Sequence, residues 1–232
     1  MATLRIASYN VHRAIGTDGR FDPRRVLAVL REIDADVIAL QEVEAHDSGA
    51  DMLAWLGEQT GFQAIAGTTL LRHDGRFGNG LLTRCPVQDK RLCDLSWRGR
   101  EPRGAIAADI DCGGGDILRV VATHLGLRPA ERRDQVQRLL NLFRERPELR
   151  SVLIGDLNEW FLWGRPLRRL HRHFKETPSL ATFPSGLPLL ALDRIWTHPR
   201  AMLRELRVHR TALSRVASDH LPLVAELRVK FE

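Results

Sequence analysis

Short β-rich segments alternate with helical segments along the whole chain, and no tract rich in proline, glycine or serine separates them. Strands are predicted over residues 4–9, 37–40, 80–83, 105–110, 117–123, 151–154, 194–197, 206–208 and 223–229. The two strands that flank Gly113, Gly114 and Gly115 are expected to form a hairpin. Since strands outnumber helices and the two alternate, the chain is predicted to be an α/β protein.

Helices are predicted from their boundary residues. Asp22-Pro23 is a typical start, because a capping side chain is followed by proline at the first helical position. Residues 51–60 are predicted to form a helix that Gly61 ends, and residues 130–144 show the clearest helical pattern. Because no linker divides the 232 residues, we expect a single domain spanning residues 1–232.

The composition is that of a globular protein. Hydrophobic residues make up 44% and charged residues 28% of the chain, which excludes global disorder and an integral membrane protein. No apolar stretch approaches the roughly 18 residues needed to span a bilayer, and the start MATLRIASYN lacks the pattern of a signal peptide. The cysteines form neither a CxxC pair nor a zinc-type quartet. We therefore expect reduced thiols and a cytoplasmic location, or a peripheral one at a membrane surface.

The net charge of +6 has two interpretations. A basic protein is attracted to polyanions such as nucleic acid or acidic lipid. However, all but three of the 35 basic residues are arginine, and genome base composition explains such a bias equally well. Net charge alone therefore does not select a partner, because it affects association and not chemistry.

Several predicted strands end abruptly in polar residues that can bind metals or exchange protons. These residues are Asn10, Glu42, His124 and Asp156, each after an apolar strand, and Asp219-His220 before one. Strand ends that open into a cleft commonly carry the chemistry of α/β proteins. The alternative is that each residue caps a strand or binds turn backbone, as Asn and Asp often do. Their recurrence favours a shared functional site.

These residue types match the requirements of phosphoester hydrolysis, which are a hard cation, a group that directs water and donors to the phosphate. Glu42 is the first candidate for a Mg²⁺ ligand, because a carboxylate leaving a buried strand is costly unless it is paired or metal-bound. The alternative is an exposed residue like its neighbour Glu44.

The segment GDLNEW contains a second candidate pair, Asp156 and Asn158. Two residues apart on an extended chain, their side chains would project to one side and face one centre. Asp156 could accept a hydrogen bond from water, while the Asn158 amide donates to a phosphate oxygen. An Asx turn between strand and helix is the alternative.

An acid and two imidazoles complete the set of candidates. Asp193 in ALDRIW is expected to orient His220 in SDHLPL and to stabilise its cation, so that His220 takes a proton or neutralises phosphate. The alternative for Asp193 is a salt bridge with Arg194 or another arginine. His124 in VVATHLGL offers an imidazole that could protonate the leaving oxygen.

Six motifs in this order resemble the endonuclease/exonuclease/phosphatase superfamily. They are SYNVH, LQEVE, THLGL, GDLNEW, LDRIW and SDHLPL, and together they extend over nearly the whole chain. The resemblance implies a four-layer α/β/β/α sandwich, with two mixed β-sheets packed face to face and helices outside. It also implies hydrolysis of a phosphoester by water with Mg²⁺ as the cofactor, or Mn²⁺ in its place.

The resemblance assigns roles to the motif residues. The implied metal ligands are Glu42, Asn10 and Asp219; the implied catalytic and phosphate-holding residues are His124, Asp156, Asn158, Asp193 and His220; and Arg103 and Asn79 are implied to approach the phosphate. His12 stands where abasic-site endonucleases of the family have Asp, and His124 where they have Tyr. The resemblance is therefore closer to the deoxyribonuclease-like and sphingomyelinase-like members.

The segment EWFLWGRPLRRLHRHF, which follows Asn158, combines aromatic rings with arginines. Such a segment can stack on bases or seat at a lipid interface, so nucleic acid and phospholipid both remain as phosphoester substrates. The alternative is that Leu167, Leu170 and Phe174 form the core face of a short helix whose arginines are solvated. No obligate protein partner is implied.

Two classes of function follow. The first is a Mg²⁺-dependent, nuclease-like phosphodiesterase, and the second is a catalytically inactive basic module that binds nucleic acid or anionic membrane on the same fold. A zinc hydrolase lacks support, since closely spaced His or Cys ligands do not occur. The complete set of candidate catalytic residues favours the hydrolase.

Overall fold

Two mixed β-sheets pack face to face in the computed structural model, which describes residues 3–46, 51–72 and 75–229. The strands are β1 (Thr3–Asn10), β2 (Val37–His46), β3 (Gln63–Arg72), β4 (Gly75–Thr83), β5 (Val87–Asp94), β6 (Gly104–Asp111), β7 (Ile117–His124), β8 (Arg150–Asp156), β9 (Asp193–His198), β10 (Leu203–Val208) and β11 (Leu223–Arg228). The six-stranded sheet has the order β10-β11-β1-β2-β4-β3, and the five-stranded sheet has the order β5-β6-β7-β8-β9. The pairs β1/β2 and β7/β8 are parallel.

Helices cover the outer face of each sheet. They are α1 (Pro23–Ile33), α2 (Met52–Thr60), α3 (Pro129–Arg144), α4 (Arg165–Phe174) and the short α5 (Ser214–Ala217). One hydrophobic cluster joins α1, α2 and α5 to the six-stranded sheet, and another joins α3 and α4 to the five-stranded sheet. A third cluster, which includes Ile6, Ile106 and Val152, fills the space between the sheets. The predicted four-layer α/β/β/α sandwich is therefore confirmed.

The helix boundaries follow from local side-chain chemistry. The Asp22 side chain accepts a hydrogen bond from the backbone N–H of Arg24, which satisfies one of the free donors at the start of α1. Asp51 caps α2 in the same way through the N–H of Ala54. Gly61 ends α2 with a φ of 72°, a left-handed conformation that glycine adopts without strain.

The strand prediction missed two strands and was wrong about several strand ends. β4 begins at Gly75 and not at residue 80, and β10 begins at Leu203 and not at residue 206. β3 and β5 were not predicted, because both are edge strands, and the mostly exposed β5 lacks an apolar alternation. β2 does not end at residue 40 but continues to His46 after a bulge between Leu40 and Val43. Glu42 therefore lies in a β-bulge and not at the end of a strand.

Three further expectations concern helices and cysteines. Leu167, Leu170 and Phe174 are buried on α4, so they do form the core face of a short helix. The three cysteines are partly buried and free. Within the part of the chain that the structure describes, no helix is both long enough and apolar enough to cross a membrane.

Gly155 on β8 lies close to the backbone of Thr123 on β7. It has a φ of 146°, and a Cβ at this position would lie 1.9 Å from the carbonyl oxygen of Thr123. We expect Gly155→Ala to push the two strands apart and to lower the free energy of unfolding by about 2–3 kcal/mol, because overpacking is added to backbone strain. Chemical denaturation measures this change.

Gly186→Ala is the matched control. No atom lies within 4 Å of the Cβ position of Gly186, so we expect a change of less than about 0.5 kcal/mol. A Gly155→Ala protein as stable as Gly186→Ala would contradict the importance assigned to the close approach of β7 and β8.

Candidate active site

Strand direction brings six strands to one edge of the sandwich. The parallel pairs β1/β2 and β7/β8 present their carboxyl ends there, and the antiparallel strands β9 and β11 begin there. In the five-stranded sheet, Asp156 pairs with His124 on one side and with Asp193 on the other. In the six-stranded sheet, Asn10 at the end of β1 lies beside the bulge that carries Glu42.

A cavity of about 440 Å³ opens at this edge. Its wall contains six of the predicted site residues, which are Glu42, Arg103, His124, Asp156, Asn158 and His220. The other lining residues are Arg13, Phe77, Glu101, Leu127, Trp160, Phe183 and Leu192. The structure therefore brings polar residues from distant parts of the chain around one space.

Asp156 lies at the centre of the polar wall and is only 1% exposed. Its Oδ2 accepts a hydrogen bond from Asn10 Nδ2 at 3.2 Å and lies 3.5 Å from His124 Nε2 and 3.8 Å from His220 Nε2. Its Oδ1 accepts from the backbone N–H of Asn158 at 2.9 Å. A buried carboxylate needs such donors, because it has lost its hydration. Both oxygens of Asp156 are therefore held in fixed directions.

Asn10 links Asp156 to Glu42. Its Nδ2 also donates to Glu42 Oε1 at 3.1 Å, while its Oδ1 accepts from the backbone N–H of His12 at 3.0 Å. Glu42 has a φ of 57°, a left-handed conformation that costs a non-glycine residue about 1–3 kcal/mol. The β2 bulge thus places the Glu42 carboxylate at the cavity wall with local backbone strain.

Asn158 reaches the cavity through a turn and not along an extended chain. Its backbone N–H closes an Asx turn on Asp156, and its φ is 50°. Its Nδ2 donates to the carbonyl oxygen of Leu125 at 2.9 Å and lies 3.0 Å from His124 Nε2. The turn predicted as an alternative is therefore present, and this turn itself directs Asn158 to the same space as Asp156.

Asp193 contacts His220, as the sequence predicts. The Nδ1 of His220 lies 2.8 Å from Asp193 Oδ2, which also accepts a hydrogen bond from Thr182 Oγ1 at 2.6 Å. Within the described residues Asp193 forms no salt bridge with Arg194, because consecutive side chains on β9 point to opposite faces. The carboxylate therefore orients the imidazole so that Nε2 is directed toward Asp156.

The two imidazoles of the site differ in charge. Burial disfavours the cation of His220, but the charge of Asp193, the hydrogen bond to it and the charges of Asp156 and Asp219 outweigh burial and raise the pKa of His220 to about 10. Burial and the charge of Arg103 lower the pKa of His124 to about 3. At neutral pH, His220 is therefore a cation and His124 is neutral.

Arg103 is buried beside His124. Its Nη1 lies 3.1 Å from His124 Nδ1 and 3.3 Å from Glu101 Oε1. Because a guanidinium group only donates hydrogen bonds, Nδ1 of the neutral ring accepts and its proton is assigned to Nε2. Arg103 thus favours the tautomer with the proton on Nε2, which lies 3.5 Å from Asp156 Oδ2, although the Asn158 amide nitrogen, also a donor, lies 3.0 Å from the same Nε2.

Four of the predicted residues do not line this cavity. Asn10 and Asp193 contact residues that do, as described above, whereas Asn79 and Asp219 have other partners. Asn79 is buried on β4 and donates from Nδ2 to the carbonyl oxygen of Gly104 at 2.9 Å, so it joins β4 to the start of β6. The Oδ1 of Asp219 lies 3.8 Å from His12 Nδ1 and accepts from Ser218 Oγ at 3.4 Å. His12 is thus the ring that Asp219 approaches.

Sequence reasoning missed several residues of the site. Thr182 orients Asp193, and the ring of Phe183 packs against His220 with centroids 4.8 Å apart. Arg13 lines the cavity from a turn in which its φ is 55°. Thr182 and Phe183 belong to a loop without a recognisable pattern, whereas the position of Arg13 shortly after Asn10 was an available signal.

The donor set near Glu42 fits a hard divalent cation. Mg²⁺ takes one or two protein carboxylates and completes its shell with water and substrate oxygens, so it requires a carboxylate that is open to the cavity. Glu42 meets this requirement. A second group, made of Asp156, Asp193 and His220, has ligand atoms within 4.8 Å of one another. There, however, Asp193 Oδ2 and His220 Nδ1 are engaged with each other.

Comparison with known proteins identifies the family. The model of the Endonuclease/Exonuclease/phosphatase family matches residues 7–220. The chain belongs to this family. Its members are phosphoester hydrolases, including nucleases, and typically depend on a divalent metal. The resemblance carried by the six motifs is therefore confirmed.

Similar proteins cover nearly all of the chain. Uncharacterized protein YbhP of Escherichia coli K12 is 28% identical over 98% of this chain and 97% of its own length. The endonuclease/exonuclease/phosphatase from Bacteroides vulgatus has a TM-score of 0.82 at 18% identity and covers 99% of this chain and 100% of its own. The human Nocturnin catalytic domain with bound sulfate anion has a TM-score of 0.72 at 19% identity, and the match covers 98% of this chain and 95% of the Nocturnin chain. The two solved structures share the fold of this chain.

The contact with Arg103 predicts the state of His124 in solution. We expect nitrogen NMR of the metal-free protein to show a neutral His124 with its proton on Nε2 between about pH 5 and 8, because a lowered pKa keeps the ring neutral above it. In Arg103→Met the donor to Nδ1 is lost, so both tautomers should become populated. Titration of His124 near its ordinary value of about 6.5, or a proton on Nδ1, would contradict this assignment.

Proposed function

We propose that this family member is a Mg²⁺-dependent phosphodiesterase, with Mn²⁺ as a substitute, that cleaves its substrate by in-line attack of an activated water. The position of Asp156 is the observation that carries the proposal. Its Oδ2 lies within 3.8 Å of two imidazole nitrogens, and Asn10 links the same oxygen to Glu42. One carboxylate thus contacts both the proposed phosphate-binding groups and the proposed metal ligands.

Asp156 acts on the water in this proposal. A water beside Oδ2 would donate a hydrogen bond to the carboxylate, which directs its lone pair toward phosphorus and accepts its proton as the bond forms. The hydrogen bonds from Asn10 and Asn158 fix the carboxylate before the substrate arrives. Such preorganisation lowers the cost of reorientation during the reaction.

The remaining polar groups serve the phosphate and the leaving oxygen. His220 is cationic, so it can neutralise a phosphate oxygen or give a proton to the leaving oxygen. His124 is neutral, so we assign it to hydrogen bonding of phosphate through Nε2 and not to protonation of the leaving group. Asn158 offers an amide donor, and Arg103 supplies a positive charge beside His124.

Glu42 would hold the divalent ion, together with Asn10 and Asp219 as the family resemblance implies. When bound, Mg²⁺ supplies positive charge to the phosphate oxygens and to the departing oxygen. The strained backbone of Glu42 supports this role, since non-glycine residues in the left-handed region cluster at functional sites. Both other proposed ligands contact His12 in this structure: Asp219 Oδ1 lies 3.8 Å from its Nδ1, and Asn10 Oδ1 accepts from its backbone N–H.

The proposed substrate is a phosphodiester of a nucleic acid or a phospholipid. The cavity volume of about 440 Å³ suits a phosphate group with its neighbouring atoms and not a whole polymer, so the rest of the substrate would lie outside the mouth. The proposed place of action is the cytoplasm or the surface of a membrane.

Asp156→Asn tests the role of the carboxylate. The amide cannot accept the proton of water, so we expect turnover of a chromogenic phosphodiester to fall by at least about a hundredfold. Asp89→Asn, on the exposed strand β5, is the control and should keep full activity. Unchanged turnover by Asp156→Asn would refute the proposed mechanism. Salt-sensitive binding of DNA or vesicles without any cleavage at saturating Mg²⁺ would favour the inactive binding module instead.

Glu42→Gln tests the proposed metal site. Loss of the carboxylate charge should raise the Mg²⁺ concentration for half-maximal activity by at least about tenfold, and chelation should abolish the activity of the parent. Glu44→Gln is the matched control on the same strand, since Glu44 does not line the cavity. Equal Mg²⁺ requirements for the two variants would place the metal elsewhere.

A further inference from the structure

An exposed apolar loop borders the mouth of the cavity. This apolar loop consists of residues 160–163, in which Trp160 is 60%, Phe161 57%, Leu162 52% and Trp163 72% exposed. Four consecutive large apolar side chains in water are unfavourable for a monomeric protein, and such patches mark interaction sites. Phe161, Leu162 and Trp163 have no role in the function proposed above.

A buried ion pair stabilises the backbone of the apolar loop. Glu159 accepts a hydrogen bond from Arg132 Nε at 3.2 Å, and both side chains are buried. The same carboxylate accepts from the backbone N–H of Phe161 at 3.2 Å, and the N–H of Gly164 closes the turn on the Phe161 carbonyl oxygen at 3.0 Å. The backbone is therefore held in a shape that directs the apolar side chains outward.

The exposed apolar surface continues around the cavity. Arg132 also donates to the carbonyl oxygen of Leu127, whose side chain is 64% exposed and lines the cavity together with Trp160. The loop that contributes Phe183 to the cavity wall exposes Leu187 by 67% and Leu189 by 71%. The three loops that supply Leu127, Trp160 and Phe183 to the cavity wall thus each present apolar side chains to the outside.

Positive charge follows directly after the apolar loop. Gly164 is the N-cap of α4, and α4 carries Arg165, Arg168, Arg169 and Arg172 and no acidic residue. Arg165 and Arg168 are exposed and form no salt bridge within the described residues. The charge of this helix is therefore available to an anionic surface.

We propose that the apolar loop inserts into the surface of an anionic phospholipid bilayer, with the arginines of α4 in contact with the lipid phosphates. An apolar tip beside a basic helix is the pattern of interfacial membrane binding, in which apolar burial and attraction to anionic lipids add. Single-stranded nucleic acid would require ring faces for stacking, and Leu127, Leu162, Leu187 and Leu189 offer none. The aliphatic half of the patch therefore favours lipid.

This surface bears on the substrate as well. Trp160 and Leu127 belong both to the exposed patch and to the cavity wall, so a bilayer bound there would lie against the mouth. A lipid phosphodiester could then reach Asp156 without leaving the membrane. The choice of a lipid substrate rests on the function proposed above, whereas the docking surface does not.

Vesicle flotation in the presence of a chelator tests docking separately from catalysis. The full chain is mixed with vesicles of phosphatidylcholine alone or with 30 mol% phosphatidylglycerol, at low and at high salt. We expect binding to the anionic vesicles that weakens with salt, together with a blue shift of tryptophan emission as Trp163 leaves water.

Variants locate the binding surface. Leu162→Ser with Trp163→Ser should weaken binding by about tenfold for each side chain removed, whereas Trp163→Phe keeps an apolar ring and should bind like the parent. Leu92→Ser is the matched control, because Leu92 is 57% exposed on the edge strand β5 outside the patch. Arg165→Gln with Arg168→Gln should weaken binding to anionic vesicles only. Circular dichroism and thermal melting confirm that each variant is folded.

The outcomes are distinct. A parent that does not float with anionic vesicles, or a Leu162/Trp163 variant that floats as well as Leu92→Ser, would overturn the proposal. Loss of binding to a single-stranded oligonucleotide, with vesicle binding unchanged in the same variant, would also overturn it in favour of a nucleic-acid surface. Vesicle binding without hydrolysis of any phosphoester would instead refute the proposed function and leave the docking surface in place.

Discussion

The direction of the strands is the constraint on which the rest of the structure depends. Asn10, His124 and Asp156 end their strands, and Asp193 and His220 stand at or before the beginning of strands that run the other way. Because parallel strands share a carboxyl edge and an antiparallel neighbour begins at that edge, these residues meet without long connections. The apolar core between the sheets holds the two edges side by side. The site is therefore a consequence of how the sandwich is built.

The buried carboxylate of Asp156 is the second constraint on the site, because it requires hydrogen-bond donors around it. A carboxylate that is removed from water must be surrounded by donors, and Asn10 and Asn158 provide them from different parts of the chain. Glu42 adopts a left-handed backbone conformation that opposes the ordinary preference of its residue type, and Asn158 adopts one that asparagine tolerates better than most residues. Packing in the rest of the fold stabilises these conformations. The well-packed core thus offsets the free-energy cost of strained backbone at the cavity, where polar side chains must point inward.

The proposed catalytic residues and the proposed membrane-binding surface lie on neighbouring but different structural elements. The polar groups around Asp156 stand at the ends of strands, which a core on both sides keeps in position. The apolar loop stands on a turn that the buried pair of Glu159 and Arg132 holds in place. In this chain the turn is apolar and is followed by a basic helix, which fits a membrane surface.

The sequence by itself determined the residue types of the site, their order and the local boundaries, such as Asp22 and Gly61. The boundaries depend on side chains acting within a few residues, so they and the α/β class could be read directly. The four-layer sandwich and the roles of the site residues came from the resemblance of the six motifs to a known family. Only the tertiary structure decided that β2 bulges at Glu42, that Arg103 is buried against His124 and that Thr182 supports Asp193. It also placed Asn79 away from the cavity and added the edge strands β3 and β5. The physical reason is that these features depend on how the two sheets pack, which no local sequence pattern encodes. The hydrogen bond between Asn10 and Asp156, for example, joins residues that are 146 positions apart in the chain.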